Sequence, residues 1–234
     1  MQIAESRIEN ADPYPAFGAA PMDFLPSLST LLAFTAATLL LAMTPGPDMT
    51  LSISRALAQG KRAALFVVLG TTLGVVVHTC LVAFGISALI TASPIAFTML
   101  KTGGAAYLLW LAIQAIRFGS SLSVMQVDAA RKTPLSNIAN GFWVNLLNPK
   151  VIIFFMTFLP QFVTAGDPAV THKLLFLGFF FIVVGVPVNI IVVLAADKLS
   201  SWLQNNRGVL RGLDYTFAGV FSIFAAKIFL TQAR

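Results

Sequence analysis

The run Thr44-Pro45-Gly46-Pro47-Asp48 places a carboxylate directly after two prolines, inside an otherwise apolar stretch of the chain. Proline removes a backbone N–H and its ring clashes with the preceding turn, so the run predicts a break in a helix. Thr44 or Gly46 can cap the half-helix that begins after the break, with Asp48 in its first turn. Such a helix start can bind an anion, and the carboxylate beside it can bind an ammonium group or a proton.

A second run, Asn148-Pro149-Lys150, combines the same elements with the opposite charge. Asn148 is a good N-cap and Pro149 suits the first helical position, so a half-helix is predicted there with Lys150 in its first turn. Asn145 can line the same break or hydrogen-bond to a neighbouring helix. Together the two breaks could hold a zwitterion, with Asp48 facing its ammonium group and Lys150 facing its carboxylate.

Each of these charged residues also has an ordinary structural interpretation. Asp48 can be a hydrated helix-start residue near the cytoplasmic interface, and the long stem of Lys150 can extend to the interface from a structural site. In the functional interpretation, Lys150 can also pair with Asp48 in the empty carrier. A charge at mid-membrane costs roughly 2.5–3.5 kcal/mol or more, and backbone groups freed by a break have no partner in hydrocarbon. Because both costs fall on the same position in the chain, that position is expected to have a function.

The composition indicates an all-α polytopic membrane protein. Apolar residues make up 57% of the chain and charged residues 10%, against about 25% charged residues in soluble domains. Apolar stretches and turn residues predict six membrane-crossing helices, of which the first and fourth are broken and the last is the weakest. Their predicted ranges are 27–58, 62–90, 94–117, 135–164, 173–196 and 209–231.

Three helices followed by three helices predict two inverted repeats, about 27–117 and 135–231, within one domain of residues 23–234. The two breaks occupy corresponding positions in these repeats, and transporters of this kind bind substrate between broken helices at the repeat interface. Such a carrier is expected to work by one repeat rocking against the other.

Lys and Arg in the loops predict the orientation. Loops one, three and five are rich in these residues and are therefore expected in the cytoplasm, with both termini outside. They carry Arg55, Lys61, Arg62, Arg117, Arg131, Lys132, Lys198, Arg207 and Arg211. The net charge of +6 is mostly this signal, so the expected partner is the lipid headgroup and not nucleic acid.

Residues 1–22 form a polar lead that we expect to be disordered or to lie on the membrane surface, since it lacks the pattern of a signal peptide. The single cysteine, Cys80, excludes an intramolecular disulfide and a dithiol relay. No Glu-x-x-His pattern surrounds His78, and no nucleotide-binding loop is present. We therefore expect no metal, no cofactor and no enzyme activity.

Other polar and aromatic residues allow two interpretations each. His78 lies on one helical face with Gly70 and Gly74, where it can be a proton relay or a hydrogen-bonded packing residue. The two glycines can serve a contact within the chain or between copies in a homo-oligomer. Asn189, close to a helix-kinking proline at 187, can line the path, and Tyr107 can pack or form part of a substrate wall.

The chain resembles the LysE family of amino-acid exporters, in particular its homoserine and threonine exporter branch, over nearly everything after Met22. The resemblance is carried by four motifs: Thr44-Pro45-Gly46-Pro47-Asp48, Gly70-x3-Gly74-x3-His78, Gly103-Gly104-Ala105-Ala106-Tyr107-Leu108 and Asn145-Leu146-Leu147-Asn148-Pro149-Lys150. It implies a carrier of the bacterial inner membrane that expels amino acids or close derivatives in exchange for protons. A passive channel or a structural membrane subunit is the alternative.

Overall fold

The computed structural model describes residues 25–118, 132–164, 167–196, 198, 202 and 206–232, and no strand occurs within them. The predicted polar lead lies outside these residues. In chain order the elements are α1 (Leu28–Met43), α2 (Pro47–Gln59), α3 (Lys61–Ala92), α4 (Pro94–Phe118), α5 (Pro134–Leu146), α6 (Pro149–Ile153), a π-helix (Phe154–Phe158), a 3₁₀-helix (Leu159–Phe162), α7 (Val170–Leu194) and α8 (Arg207–Gln232).

Both predicted breaks are present. The axes of α1 and α2 differ by 50°, and α5 is bent by 52° relative to the helical segment Pro149–Phe162. The fourth predicted helix departs from expectation after its break. It continues as one α-helical turn and then as π- and 3₁₀-helix, irregular forms that often mark functional positions.

Local residue types explain the other helix ends. Gly60 separates α2 from α3 with φ +88°, a backbone conformation that favours glycine because it has no Cβ. Ser93 ends α3 by donating its N–H to Leu89 O. Thr133 caps α5 by accepting a hydrogen bond from the Ser136 N–H.

Length and hydropathy support up to five membrane crossings. The helices Lys61–Ala92 and Val170–Leu194 and the stretch Ile95–Gln114 are each long and apolar enough to span a bilayer, and each bent pair can form one more span. The helix α8 is not among them, so the sixth crossing stays a prediction.

The helices pack around a central group formed by α3, α5 and α7. The longest interfaces are those of α3 with α5, α4 with α8, and α3 with α7, while α1 also packs on α7. Phenylalanines fill the core beside the second break. Phe34, Phe154, Phe158 and Phe221 are at most 1% exposed, and the Phe154 and Phe158 ring centroids are 4.8 Å apart.

Candidate functional site

The first break is produced by its prolines. Thr44 ends α1, donating both its N–H and its hydroxyl to Leu40 O, at 3.0 and 2.7 Å. In a continuous helix the next carbonyl, Leu41 O, would accept from the residue at position 45, but Pro45 has no N–H. Gly46 is the N-cap of α2 in an extended conformation, with Pro47 as the first helical residue. Of the two predicted caps, the structure therefore has Gly46.

The second break follows its predicted capping pattern. The Asn148 side chain accepts a hydrogen bond from the Lys150 backbone N–H at 3.0 Å, and Pro149 is the first residue of α6. Before the break, the Leu147 N–H reaches Trp143 O at 3.0 Å. The caps satisfy backbone groups that hydrocarbon could not satisfy.

The two breaks are in direct contact. Lys150 Nζ donates to Leu41 O and to Thr44 O, each at 2.5 Å. The stem of this lysine passes over Gly46, where a Cβ would lie 3.5 Å from Lys150 Cδ. The second break thus supplies the donor that Pro45 withholds from the first.

The Asp48 carboxylate is held by an amide from the second break. Asn145 Nδ2 donates to Asp48 Oδ2 at 2.6 Å. Within the described part of the chain, Asp48 Oδ1 and Asn145 Oδ1 are both buried without a hydrogen-bond partner. A buried acceptor without a partner raises the free energy of the folded state, so a ligand that donates a hydrogen bond to it would bind favourably.

The sequence left open a direct pair between Lys150 and Asp48, and the structure differs. Among the described residues, no salt bridge joins Lys150 to Asp48, whereas Asp167 in the loop before α7 forms one with Lys173 in the first turn of that helix. The Lys150 ammonium instead takes the carbonyls that the first break exposes. Its charge and that of Asp48 still act on each other.

His78 lies behind the site and not in it. Its Nε2 is 3.4 Å from Asn145 O, and its ring centroid is 5.8 Å from that of Phe155. The side chain is 6% exposed. This position fits the packing interpretation, and the proton relay stays a prediction.

A cavity of about 60 Å³ lies between the two breaks, well above the roughly 10–15 Å³ that a cavity needs to hold one water molecule. It includes the predicted residues Thr44, Gly46, Asp48, Asn145, Asn148 and Lys150. Pro45, Pro47 and Pro149 shape the backbone without lining it. The remaining lining residues come from α1, α2, α3, α6 and α7: Leu41, Ala42, Met49, Thr71, Thr72, Val75, Val151, Phe181, Ile182, Gly185, Val186 and Asn189.

Several lining residues were not singled out from the sequence. Thr71 and Thr72 are ordinary helix residues in the sequence, and Phe181 belongs to an apolar run. Asn189 is the exception, because a polar residue two positions after the helix-kinking Pro187 is a candidate for lining the path. Tyr107 does not line the cavity; its ring packs at 5.0 Å from that of Trp110.

Glycines let α3 approach its neighbours closely. A Cβ at Gly70 would lie 2.0 Å from Ile138 O, and a Cβ at Gly141 would lie 2.2 Å from Val67 O. Gly74 faces the Asn145 side chain in the same way, at 2.5 Å. The glycine face that the sequence left open is therefore an internal contact between α3 and α5.

No group of three or more His, Cys, Asp or Glu that could hold a metal ion occurs within the described ranges. The arrangement consists of a carboxylate, an ammonium group and three amides around a small cavity, held by apolar helices. It can bind a small polar molecule, and it offers no nucleophile activated by a base.

The fold and site together define a multi-pass helical membrane protein with a polar site at two helix breaks. The LysE type translocator family matches residues 39–232. The chain belongs to this family, so it is a transporter and not an enzyme.

Three relatives illustrate the family. The chain is 29% identical to a homoserine/homoserine lactone efflux protein of Salmonella typhimurium, over 84% of this chain and 94% of that protein. It is 30% identical to an uncharacterized membrane protein of Vibrio cholerae, over 81% and 91%. It is 36% identical to a cysteine/O-acetylserine efflux protein of Salmonella choleraesuis, over 57% and 65%. No solved structure matches the chain.

Proposed function

We propose that the protein exports a small amino acid or a close derivative from the cytoplasm, in exchange for protons, through the cavity between the two helix breaks. Two relatives are named as efflux proteins for compounds of this kind, homoserine or its lactone and cysteine or O-acetylserine. Both the substrate class and the protein's place in a bacterial inner membrane are inferred from this kinship and from the chemistry of the site.

The observation that carries the proposal is the pair of buried oxygens, Asp48 Oδ1 and Asn145 Oδ1, which have no hydrogen-bond partner among the described residues. Both side chains line the cavity. The Asn145 oxygen faces Gly74 on α3, so the free Asp48 oxygen, which is charged, is the acceptor that suits a cation carrying several N–H groups. The α-ammonium group of an amino acid is such a cation.

Lys150 provides for the other end of the substrate. Its ammonium group has three N–H donors, and two of them are used by Leu41 O and Thr44 O. Among the described residues the third has no partner, and it can bind a carboxylate. The small cavity and the Phe181 ring beside it favour a substrate with a short side chain.

Proton exchange is the simplest drive for this site. No nucleotide-binding loop is present, and a gradient of one pH unit supplies about 1.4 kcal/mol per proton. Asp48 would carry the proton in one half of the cycle and the substrate ammonium in the other, since one carboxylate cannot serve both at once.

The test is a screen of amino acids in proteoliposomes under an imposed pH gradient, comparing wild type with Asp48→Asn. We expect wild type to accumulate a small neutral amino acid and Asp48→Asn to lose the pH-driven component. Asp167→Asn is the matched control, because it removes a carboxylate from a loop outside the cavity. Accumulation by Asp48→Asn that follows the pH gradient as in wild type would refute the proton role.

Counterflow separates a carrier from a channel. A carrier preloaded with unlabelled substrate takes up labelled substrate transiently above its outside concentration, whereas a channel only equilibrates it. Equilibration alone, with the substrate found in the screen, would favour the channel.

The helix contacts support two inverted repeats. The two broken spans, the two spans that follow them (α3 and α7) and the last two (α4 and α8) form three pairs. If the repeats are related by symmetry, each interface has a counterpart made by the paired helices. The α3–α5 interface then corresponds to the α7–α1 interface, while α3–α7 and α4–α8 each correspond to themselves. All four interfaces occur. An odd number of spans in each repeat inverts one relative to the other.

The orientation can be tested by cysteine labelling in a Cys80→Ser background. Ala58 and Ala92 are exposed, at the α2–α3 and α3–α4 connections respectively. With both termini outside, an impermeant thiol reagent added to intact cells should label Ala92→Cys and leave Ala58→Cys unlabelled. The reverse pattern would invert the proposed topology.

A further inference from the structure

The end of α1 presents two backbone carbonyls to one ammonium group. Leu41 O and Thr44 O, which we call the carbonyl receptor, each lie 2.5 Å from Lys150 Nζ. Leu41 O is available because Pro45 lacks an N–H. Thr44 O is available because the chain turns into extended geometry at Gly46, with φ −157° and ψ −178°. The break itself therefore builds the receptor, and no side chain of α1 takes part.

The surroundings of the receptor favour a positive charge. The carbonyl end of a helix carries a partial negative charge. Two carboxylates add to it, because Asp48 on α2 and Asp214 on α8 both act on the Lys150 charge. Asp214 is 2% exposed, so water screens its field only weakly.

We propose that the carbonyl receptor is a cation site in its own right, which Lys150 fills with a tethered ammonium group, and which binds a free primary ammonium ion when that side chain is removed. This goes beyond the export of an amino acid, because it concerns a second cation position next to the one at Asp48. A primary ammonium fits since its N–H donors match the two carbonyls, whereas a quaternary ammonium has none.

A consequence for the wild-type carrier is that this position needs no ion from solution. The tethered ammonium supplies the charge permanently. Transport by wild type should therefore be unchanged when sodium is replaced by choline at constant pH and ionic strength.

The test is chemical rescue of Lys150→Ala. We expect its thermal midpoint in detergent to fall well below that of wild type, because two carbonyls and two carboxylates lose their cation. Methylammonium chloride should recover most of the lost midpoint in a saturable way. Tetramethylammonium chloride at the same concentration should not, with choline chloride keeping the ionic strength constant throughout.

Lys101→Ala is the matched control. Lys101 Nζ also donates to a backbone carbonyl, Val163 O at 3.2 Å, but within the described part of the chain to that carbonyl alone, so methylammonium should not rescue this variant. Equal effects of methylammonium and tetramethylammonium on Lys150→Ala, or no effect of either, would overturn the proposal. So would a larger stabilisation by sodium than by methylammonium, since the receptor would then prefer a metal cation.

Recovery of folded Lys150→Ala only when methylammonium is present during purification would count as the expected rescue. Equal recovery in tetramethylammonium would refute the proposal. Lys150→Met keeps most of the stem without the charge and should be rescued less, because its side chain still occupies the space. The assay measures stability and not transport. A protein that exports no amino acid could still pass it, and a working exporter could fail it.

Discussion

Replacing Gly70 by alanine tests the close approach of α3 and α5. The new Cβ would lie 2.0 Å from Ile138 O, whereas a carbon and a carbonyl oxygen approach to about 3.3 Å at the closest. The helices must therefore separate by about 1.3 Å, since the obstacle is backbone and cannot rotate away. His78 Nε2 is already 3.4 Å from Asn145 O, so this separation would break that contact and displace the amide that holds Asp48.

Gly85→Ala in the same helix is the control, because no atom lies within 4 Å of a Cβ there. Overpacking typically costs about 1–3 kcal/mol, while alanine in a helix interior is better than glycine by about 1 kcal/mol. Both variants gain this alanine propensity, so their free energies of unfolding should differ by the overpacking cost alone, roughly 1–3 kcal/mol, with Gly70→Ala the less stable.

The assay is the thermal midpoint of the purified protein in detergent, followed by transport in proteoliposomes. Gly70→Ala should melt earlier than Gly85→Ala and transport more slowly, whereas Gly85→Ala should melt at or slightly above the wild-type midpoint and transport like wild type. Indistinguishable midpoints for the two alanine variants would show that α3 and α5 are not in backbone contact. The interpretation of Gly70 as a close-packing residue would then be wrong.

Three further outcomes are expected. Asn145→Leu removes the donor to Asp48 Oδ2 and should reduce transport more than stability, measured by proteoliposome uptake against thermal midpoint; an equal loss in both would argue for a purely structural amide. Pro45→Ala restores a backbone N–H at the first break, so the midpoint should rise while the rate of transport falls; a faster carrier would contradict this. The hydrogen bond from Lys173 holds the pKa of Asp167 below its ordinary 3.8, so this carboxylate stabilises the fold above that pH and progressively less as the pH falls through the lowered pKa. Asp167→Asn should therefore lower the midpoint at neutral pH, and the difference should shrink under acid conditions; a difference that persists there would rule out the carboxylate as its cause.

The positions of the breaks could be predicted because they depend on local residue types. Proline lacks a donor wherever it occurs in a helix, and the side chain of Asn148 can reach the N–H two residues ahead whatever surrounds it. The half-helix starts at Pro47 and Pro149 follow from such short-range chemistry.

The contacts across the site could not be predicted in the same way. Asn145 and Asp48 are 97 residues apart, and Lys150 and Leu41 are 109 apart. Which of these residues come into contact depends on the distance between α3 and α5. A change in that distance by the radius of one side chain would change the contacts. A sequence pattern that marks Gly70 as a packing residue does not name the helix that packs there.

The π-helix and the glycine pair of α4 were also beyond local rules. An extra residue in the turn Phe154–Phe158 depends on packing against other helices. A Cβ at Gly104 would lie 2.6 Å from Thr157 Cβ, whereas Gly103 faces open space. Two adjacent glycines in one motif therefore have different environments, which the motif cannot distinguish.

The close glycine contacts restrict how the protein can move. Gly70 lies at the contact between α3 of the first proposed repeat and α5 of the second. A Cβ at Gly178 on α7 would lie 2.3 Å from Thr79 Cγ2 on α3. A motion that parts the proposed repeats as two bodies would have to pull apart helix surfaces that leave no room for a Cβ. A motion that keeps α3, α5 and α7 together as a frame, while α1, α2, α4 and α8 shift around it, leaves those surfaces intact. In the proposed carrier, the moving parts would then follow the glycines and not the boundary between the proposed repeats.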